Sequence, residues 1–134
     1  MLDSDICIYA LRGRHPHVAA KLRSMPMGGL CMSSVTLAEL LYGAEKSVRR
    51  DHNLEVIRKF TSHLEIASWG DSAAEIFAAE KARLEREGTP LATPDLMIGA
   101  HAMAIGAVMV TNNVRHFDRI RGLQIENWAA TAAH

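Results

Sequence analysis

Short apolar runs at residues 1–4, 30–33, 64–67, 107–111 and 123–126 alternate along the chain with longer stretches of helical periodicity. Runs of four or five apolar residues are too short for helices and suit strands covered on both faces. Strands separated by helices do not pair as tight hairpins. The pattern therefore predicts an α/β fold with a short, mostly parallel central sheet of about five strands and helices on both faces. Met1 leaves the first strand very short. A chain of 134 residues closes one hydrophobic core, so a single domain is expected over 1–134, with the Ala-rich residues 129–134 as a disordered tail.

Glycine and proline punctuate the helices. DICIYALRG reads as a helix ending at Gly13, and Pro16 suits the first turn of the next, which runs to about Ser24 before Pro26, Gly28 and Gly29. Thr36-Leu37-Ala38-Glu39 has the spacing of a capping box opening a helix to about Ser47, and another helix follows from Asp51. Asp71 or Ser72 is expected to cap a long amphipathic helix with Ile76, Ala79 and Leu84 inward, ended by Gly88. Thr93 is expected to cap the next helix, with Pro94 at its first position, Asp95 in its first turn and an end near Gly106.

Composition removes several classes of function. The longest apolar stretch, near 99–110, is broken by Gly99, His101 and Gly106 and falls short of the roughly 20 residues a spanning helix needs. Asp3 and Asp5 stand where a signal peptide would not tolerate them, so a cytoplasmic location is expected. Cys7 and Cys31 sit in apolar contexts and read as buried free thiols. Fifteen basic side chains balance fifteen acidic ones, so net charge alone calls for no polyanion. The distribution is uneven, however. No acid lies between Asp5 and Glu39, while Arg12, Arg14, Lys21 and Arg23 lie there with His15 and His17.

In open α/β sheets, ligands bind beyond the carboxyl ends of the strands. Three acids fall there: Asp3 after the first strand, Glu39 in the helix after the second, and Asp95 at the start of the helix leading into the fourth. Glu39 has a structural duty available as partner of Thr36, and Asp95 one in complementing a helix dipole; Asp3 has none visible. Clustered carboxylates raise one another's pKa and call for a cation. Oxygen donors without a matching Cys or His cluster point to Mg2+ or Mn2+, ions that support phosphodiester hydrolysis.

The motifs MLDSDICIY, SSVTLAELLYGAEKS, TPDLMIGAHA, VTNNVRHFDRIRGL and IENW, spread from Met1 to Trp128, together resemble the PIN-domain ribonucleases, closely the VapC toxins of type II toxin–antitoxin pairs. The resemblance implies a PIN-like fold and a metal-dependent endoribonuclease that inhibits translation by cutting structured RNA. It also implies inhibition by a VapB-type antitoxin, a homodimer, and a larger complex with that antitoxin on operator DNA. Close relatives cut initiator tRNA.

Carried over by position, Asp3, Glu39 and Asp95 match the metal-coordinating acids and Thr111 the strand-end hydroxyl of the site. His116 stands where the family usually has a fourth acid, with Asp118 two residues on, and Asp5 stands where relatives usually carry Asn. An RNA ligand makes Arg12, Arg14, Lys46, Arg49, Arg50 and Arg115 candidates for phosphate contacts. With seven aromatics in all, no base-stacking platform is evident, and shape and backbone recognition are expected. Leu40, Leu41, Tyr42 and Phe60 are open to either core or interface roles.

Two other readings compete. Asp3-Ser4-Asp5 has the spacing of haloacid-dehalogenase-like phosphatases, but neither that class's later Thr or Ser followed by a suitable Lys, nor its paired acids near residue 95, is present. The other alternative is a catalytically weakened PIN-like domain, altered at His116, that acts only through its antitoxin partner.

Overall fold

The computed structural model describes residues 1–26 and 28–130. The described elements are α1 (Ser4–Arg12), α2 (Pro16–Ser24), β1 (Cys31–Ser33), α3 (Ser34–Glu45), α4 (Arg50–Thr61), β2 (Glu65–Ala67), α5 (Asp71–Arg86), α6 (Thr93–Ala104), β3 (Met109–Val110), α7 (Val114–Phe117) and β4 (Ile125–Glu126). β1 pairs with β2 and β3 with β4, both in parallel. The first expected strand is reduced to a single parallel bridge between Leu2 and Val110, so among the described residues four strands form rather than five. The reason is local: Asp3 already caps α1, whose helix begins at Ser4. Short as it is, this segment joins the two halves. The Leu2 N–H donates to the Cys31 carbonyl at 2.9 Å, and the Asp3 N–H to the Val110 carbonyl at 2.9 Å.

Alternation along the strands explains the two helical layers, because successive strand side chains point to opposite faces. Leu2, Met32, Ile66 and Val110 face a core shared with Ile6, Cys7, Val18, Leu40, Leu54 and Ile57 of α1–α4. Their neighbours Met1, Cys31, Ala67 and Met109 face the other core, with Leu84, Leu96, Ile98 and Phe117 of α5–α7. Helices therefore cover both faces of the parallel array. Among the residues left open, Leu40 is core, Leu41 and Phe60 pack partly buried against it, and Tyr42 is 65% exposed. Ala129 also packs there; residues 131–134, most of the expected tail, lie outside the described residues.

The glycine and proline boundaries hold: Gly13 takes φ 65° at the end of α1 and Gly106 φ 67° after α6. The capping assignments move. Ser33, not Thr36, caps α3, accepting a bond from the Val35 N–H, and Thr36 is buried inside the helix with an unpartnered hydroxyl. Gly70 occupies the N-cap of α5 and Ala92 that of α6, so Asp71 and Thr93 are first helical residues and Ser72 lies inside the helix. Ala79 is exposed; Ala73, Phe77 and Leu84 form the inward stripe of α5. Both cysteines are free, Cys7 buried and Cys31 only partly so. Among the described residues no helix is long and apolar enough to cross a membrane.

Candidate active site

The carboxyl ends of Met1–Leu2 and β3 lie side by side, and the side chains that follow them meet. Thr111 is fully buried and its hydroxyl donates to Asp3 Oδ2 at 2.7 Å. The other Asp3 oxygen accepts the Ser4 N–H at 2.8 Å, so one carboxylate both caps α1 and receives the end of β3. Asp5 follows on the first turn, where its Oδ2 accepts the Asn112 N–H at 3.0 Å.

α3 and α6 bring the remaining acids. The charge of Asp95 contributes to raising the pKa of both Asp3 and Glu39. Burial is the larger cause in each case. Asp3, only 4% exposed, is pushed up to about 7 by desolvation first, then by Asp5 and Asp95. Glu39 is raised by desolvation and then by Asp95, and Asp5 is raised chiefly by desolvation. Since Thr36 does not cap, Glu39 has no capping box to complete, and its Oε1 is buried without a hydrogen-bond partner.

Two contacts fix α3 against α6. The Trp69 N–H donates to Ser34 Oγ at 3.1 Å, while its indole N–H donates to the Met97 carbonyl at 2.9 Å. The cap residue Ser33 itself lies against His101, whose pKa burial lowers. The helices carrying Glu39 and Asp95 are thus tied together beneath the acids.

Among the described residues, no group of three or more His, Cys, Asp or Glu side chains is already drawn together as a metal cage. The donor set nevertheless fits a hard divalent cation. It is all oxygen, Asp3 is shielded from water, and Glu39 has a buried oxygen without a hydrogen-bond partner, which an ion would satisfy. Cys7, buried near Asp3 and Asp5, has its thiol pushed well up and is no rival ligand.

His116 lies at the border, its Nδ1 3.5 Å from Asp95 Oδ2 and 2.8 Å from Asn113 Nδ2. The Asn113 N–H donates to Thr111 Oγ1 at 2.9 Å, so Asn113 joins the Asp3 end of the pocket to the Asp95 end. Sequence reasoning gave Asn112 and Asn113 no role beyond a loop; adjacent amides after a strand-end Thr were the available signal. Asp118 is exposed at the C-cap of α7 and is not among the partners of this cluster. Of the basic candidates, Arg12, Arg14, Arg49 and Arg115 are exposed, and Lys46 lies over the Tyr42 ring at 4.7 Å. Arg50 is already engaged, with Glu45 at 2.6 Å and Asp51 at 2.7 Å. Arg12 shares with Glu39 a groove of about 460 Å³ between α1, α3 and α4.

Comparison with known proteins bears on the whole chain. Residues 1–123 match the model of the PIN domain family. The tRNA(fMet)-specific endonuclease VapC of Salmonella typhimurium is 41% identical over 128 residues, covering 96% of each chain, and ribonuclease VapC2 of Haemophilus influenzae is 39% identical over the same shares. Among solved structures, DNA-bound VapBC from Salmonella typhimurium superposes with a TM-score of 0.90 at 41% identity and 96% coverage of both chains. VapBC2 from Rickettsia felis, bound to a promoter DNA fragment, gives 0.90 at 34% identity, covering 96% of this chain and 97% of its own. With Asp3 and Thr111 joined at the carboxyl ends of its parallel strands and 96% of its length alike to these proteins, the chain belongs to the PIN-domain family, among its VapC members.

Proposed function

We propose that the chain is the toxin of a type II toxin–antitoxin pair, a Mg2+- or Mn2+-dependent endoribonuclease that hydrolyses phosphodiester bonds in structured RNA and so inhibits translation. The observation that carries this reading is the chain of contacts at the strand ends: Thr111 holds Asp3, Asn113 joins Thr111 to His116 beside Asp95, Glu39 keeps a buried oxygen without a partner, and no Lys or Arg among the described residues is paired to these acids. Asp3, Glu39 and Asp95 would hold the ion, with Asp5 beside them. Once bound, it would supply an activated water and a polarised phosphoryl oxygen.

The protein's own groups set up that chemistry. Thr111 and the Ser4 N–H orient the two oxygens of Asp3. Burial keeps bulk water away from Asp3, which strengthens electrostatic interactions in the pocket. Arg12 stands in the groove beside Glu39, and Arg115 on α7 follows the Asn113 bridge, positions from which both can meet RNA phosphates. His116, beside Asp95, takes the border position that the family usually gives to an acid.

Initiator tRNA is the proposed substrate, on the strength of the Salmonella typhimurium relative named for it. A VapB-type antitoxin, a homodimer and a larger complex on operator DNA are proposed because the similar structures are VapBC assemblies, two of them with DNA. A cytoplasmic location is proposed with it, since that is where such a substrate would be met. The His116 contact with Asp95 is the observation favouring the second reading, a domain that binds its antitoxin without turnover.

Purified full-length protein incubated with initiator tRNA separates the two. Cleavage that requires Mg2+ or Mn2+ and stops with EDTA is expected. Cleavage indifferent to EDTA overturns the metal assignment, and intact tRNA and other structured RNAs at all metal concentrations favour the binding domain.

A further inference from the structure

We propose that Tyr9 and His15 form a stacking platform for an unpaired nucleobase next to the scissile linkage; the assignment rests on the endoribonuclease reading above. The two rings pack with centroids 3.8 Å apart and planes inclined by 34°, across the turn between α1 and α2. His15 occupies the N-cap of α2 but makes no side-chain capping bond, and among the described residues neither of its ring nitrogens has a hydrogen-bond partner. The Tyr9 ring is what the imidazole rests on, and both residues are half-buried rather than enclosed.

Three features direct this pair toward RNA. Asn112 donates its backbone N–H to Asp5 at 3.0 Å and its side-chain amide to the Tyr9 hydroxyl at 3.1 Å, so one residue links the carboxylate cluster to the platform. Asp5 and Tyr9 are also four apart on α1, which puts them on one face about 6 Å apart along the axis. Finally, the rings lie in the segment without acids, flanked by the exposed Arg12, Arg14 and His17. An aromatic plane amid cations, one residue from the acids, is what an unpaired base with its phosphates requires. Stacking on such a plane tolerates any base. The sequence expectation of recognition without stacking is revised accordingly: the two rings are six positions apart in sequence, and only the turn at Gly13 brings them face to face.

The test uses full-length protein with Mn2+ and initiator tRNA, alongside versions made abasic at each unpaired nucleotide in turn. His15→Ala is expected to raise KM about tenfold with kcat changed less than about twofold, and His15→Phe, which keeps a ring plane, to recover most of the loss. One abasic position should raise the parental KM by a similar factor and leave His15→Ala unaffected. A parental KM in His15→Ala, or equal sensitivity of both proteins to every abasic position, overturns the platform. If the parental protein cuts no RNA, the endoribonuclease reading fails instead, and Kd values from fluorescence anisotropy on the same RNAs decide the platform by the same comparison.

Discussion

Ser33 Oγ lies 2.8 Å from His101 Nδ1, 68 positions away in sequence, and so joins the cap of the Glu39 helix to the Asp95 helix. Both groups are buried. Replacing His101 by Leu leaves Ser33 with one partner fewer in a dry site, and should lower stability in urea by about 1–3 kcal/mol. His101→Asn, whose amide reaches the position of Nδ1, should lose less. Titration calorimetry should find weaker Mn2+ binding in the Leu variant than in the Asn variant; equal binding would show that the contact does not align the acids.

Asp3 predicts an unusual dependence of stability on pH. Its pKa is raised to about 7 in the fold from 3.8, so the folded state binds a proton more readily than the unfolded one. Its contribution is therefore fully present below about pH 4 and is lost as the pH rises toward 7. In EDTA, Asp3→Asn should equal the parental protein near pH 4 and exceed it by on the order of 3 kcal/mol at pH 8. Added Mg2+ should stabilise the parental protein and not the variant. Parallel urea midpoints across the pH range would refute the buried-charge account.

Asp95→Asn keeps the shape of the side chain and removes the charge acting on Asp3 and Glu39. The fold should be unchanged by circular dichroism, while RNA cleavage falls roughly 100-fold or more. Parental cleavage by this variant would sink the metal assignment. His116→Asp puts a carboxylate beside Asp95, where the resemblance leads one to expect an acid, and activity equal to or above parental is expected; a large loss would show that the imidazole has a role of its own.

Gly99 tests the packing under the Asp95 helix. A methyl group there would collide with Cδ1 of Ile120, which is itself buried against Phe117 and Leu123 in the same core. Gly99→Ala should cost about 1–3 kcal/mol by urea denaturation, and Ile120→Val in the same chain should recover part of it.

The basic residues separate by what already holds them. Arg12 is exposed beside the groove containing Glu39, whereas Arg50 is occupied by Glu45 and Asp51. Arg12→Ala should weaken RNA binding and reduce the slope of log affinity against log salt by about 1, with Arg50→Ala close to parental. Equal slopes for the two variants would count against the assignment.

What the sequence made legible follows from where the physical constraint resides. Pro16, Gly13, Gly88 and Gly106 constrain their own backbone, and the helix ends they imply are where they were expected. The position of Asp3 was legible for a similar reason, since a carboxylate directly after a buried strand segment announces a charge at a strand end. The capping of α3 was not. Ser33, Ser34 and Thr36 all have capping chemistry, and the choice is made by His101 and by Trp69, which binds Ser34 from 35 positions away. Asn112 was illegible because its partners Asp5 and Tyr9, 107 and 103 positions away, reach it only after the sheet has formed, whereas the bonds of Asn113 to Thr111 and His116 are local and gain meaning only from what those two residues touch.

The bridge between Leu2 and Val110 has a consequence during synthesis. Asp3 is seated by the Val110 carbonyl and by Thr111, 108 positions further on, so a ribosome must release that distant stretch before the first acid has anywhere to lodge. Products that stop between Asp95 and Val110 would contain Asp3, Glu39 and Asp95 yet leave Asp3 without the Val110 carbonyl and the Thr111 hydroxyl.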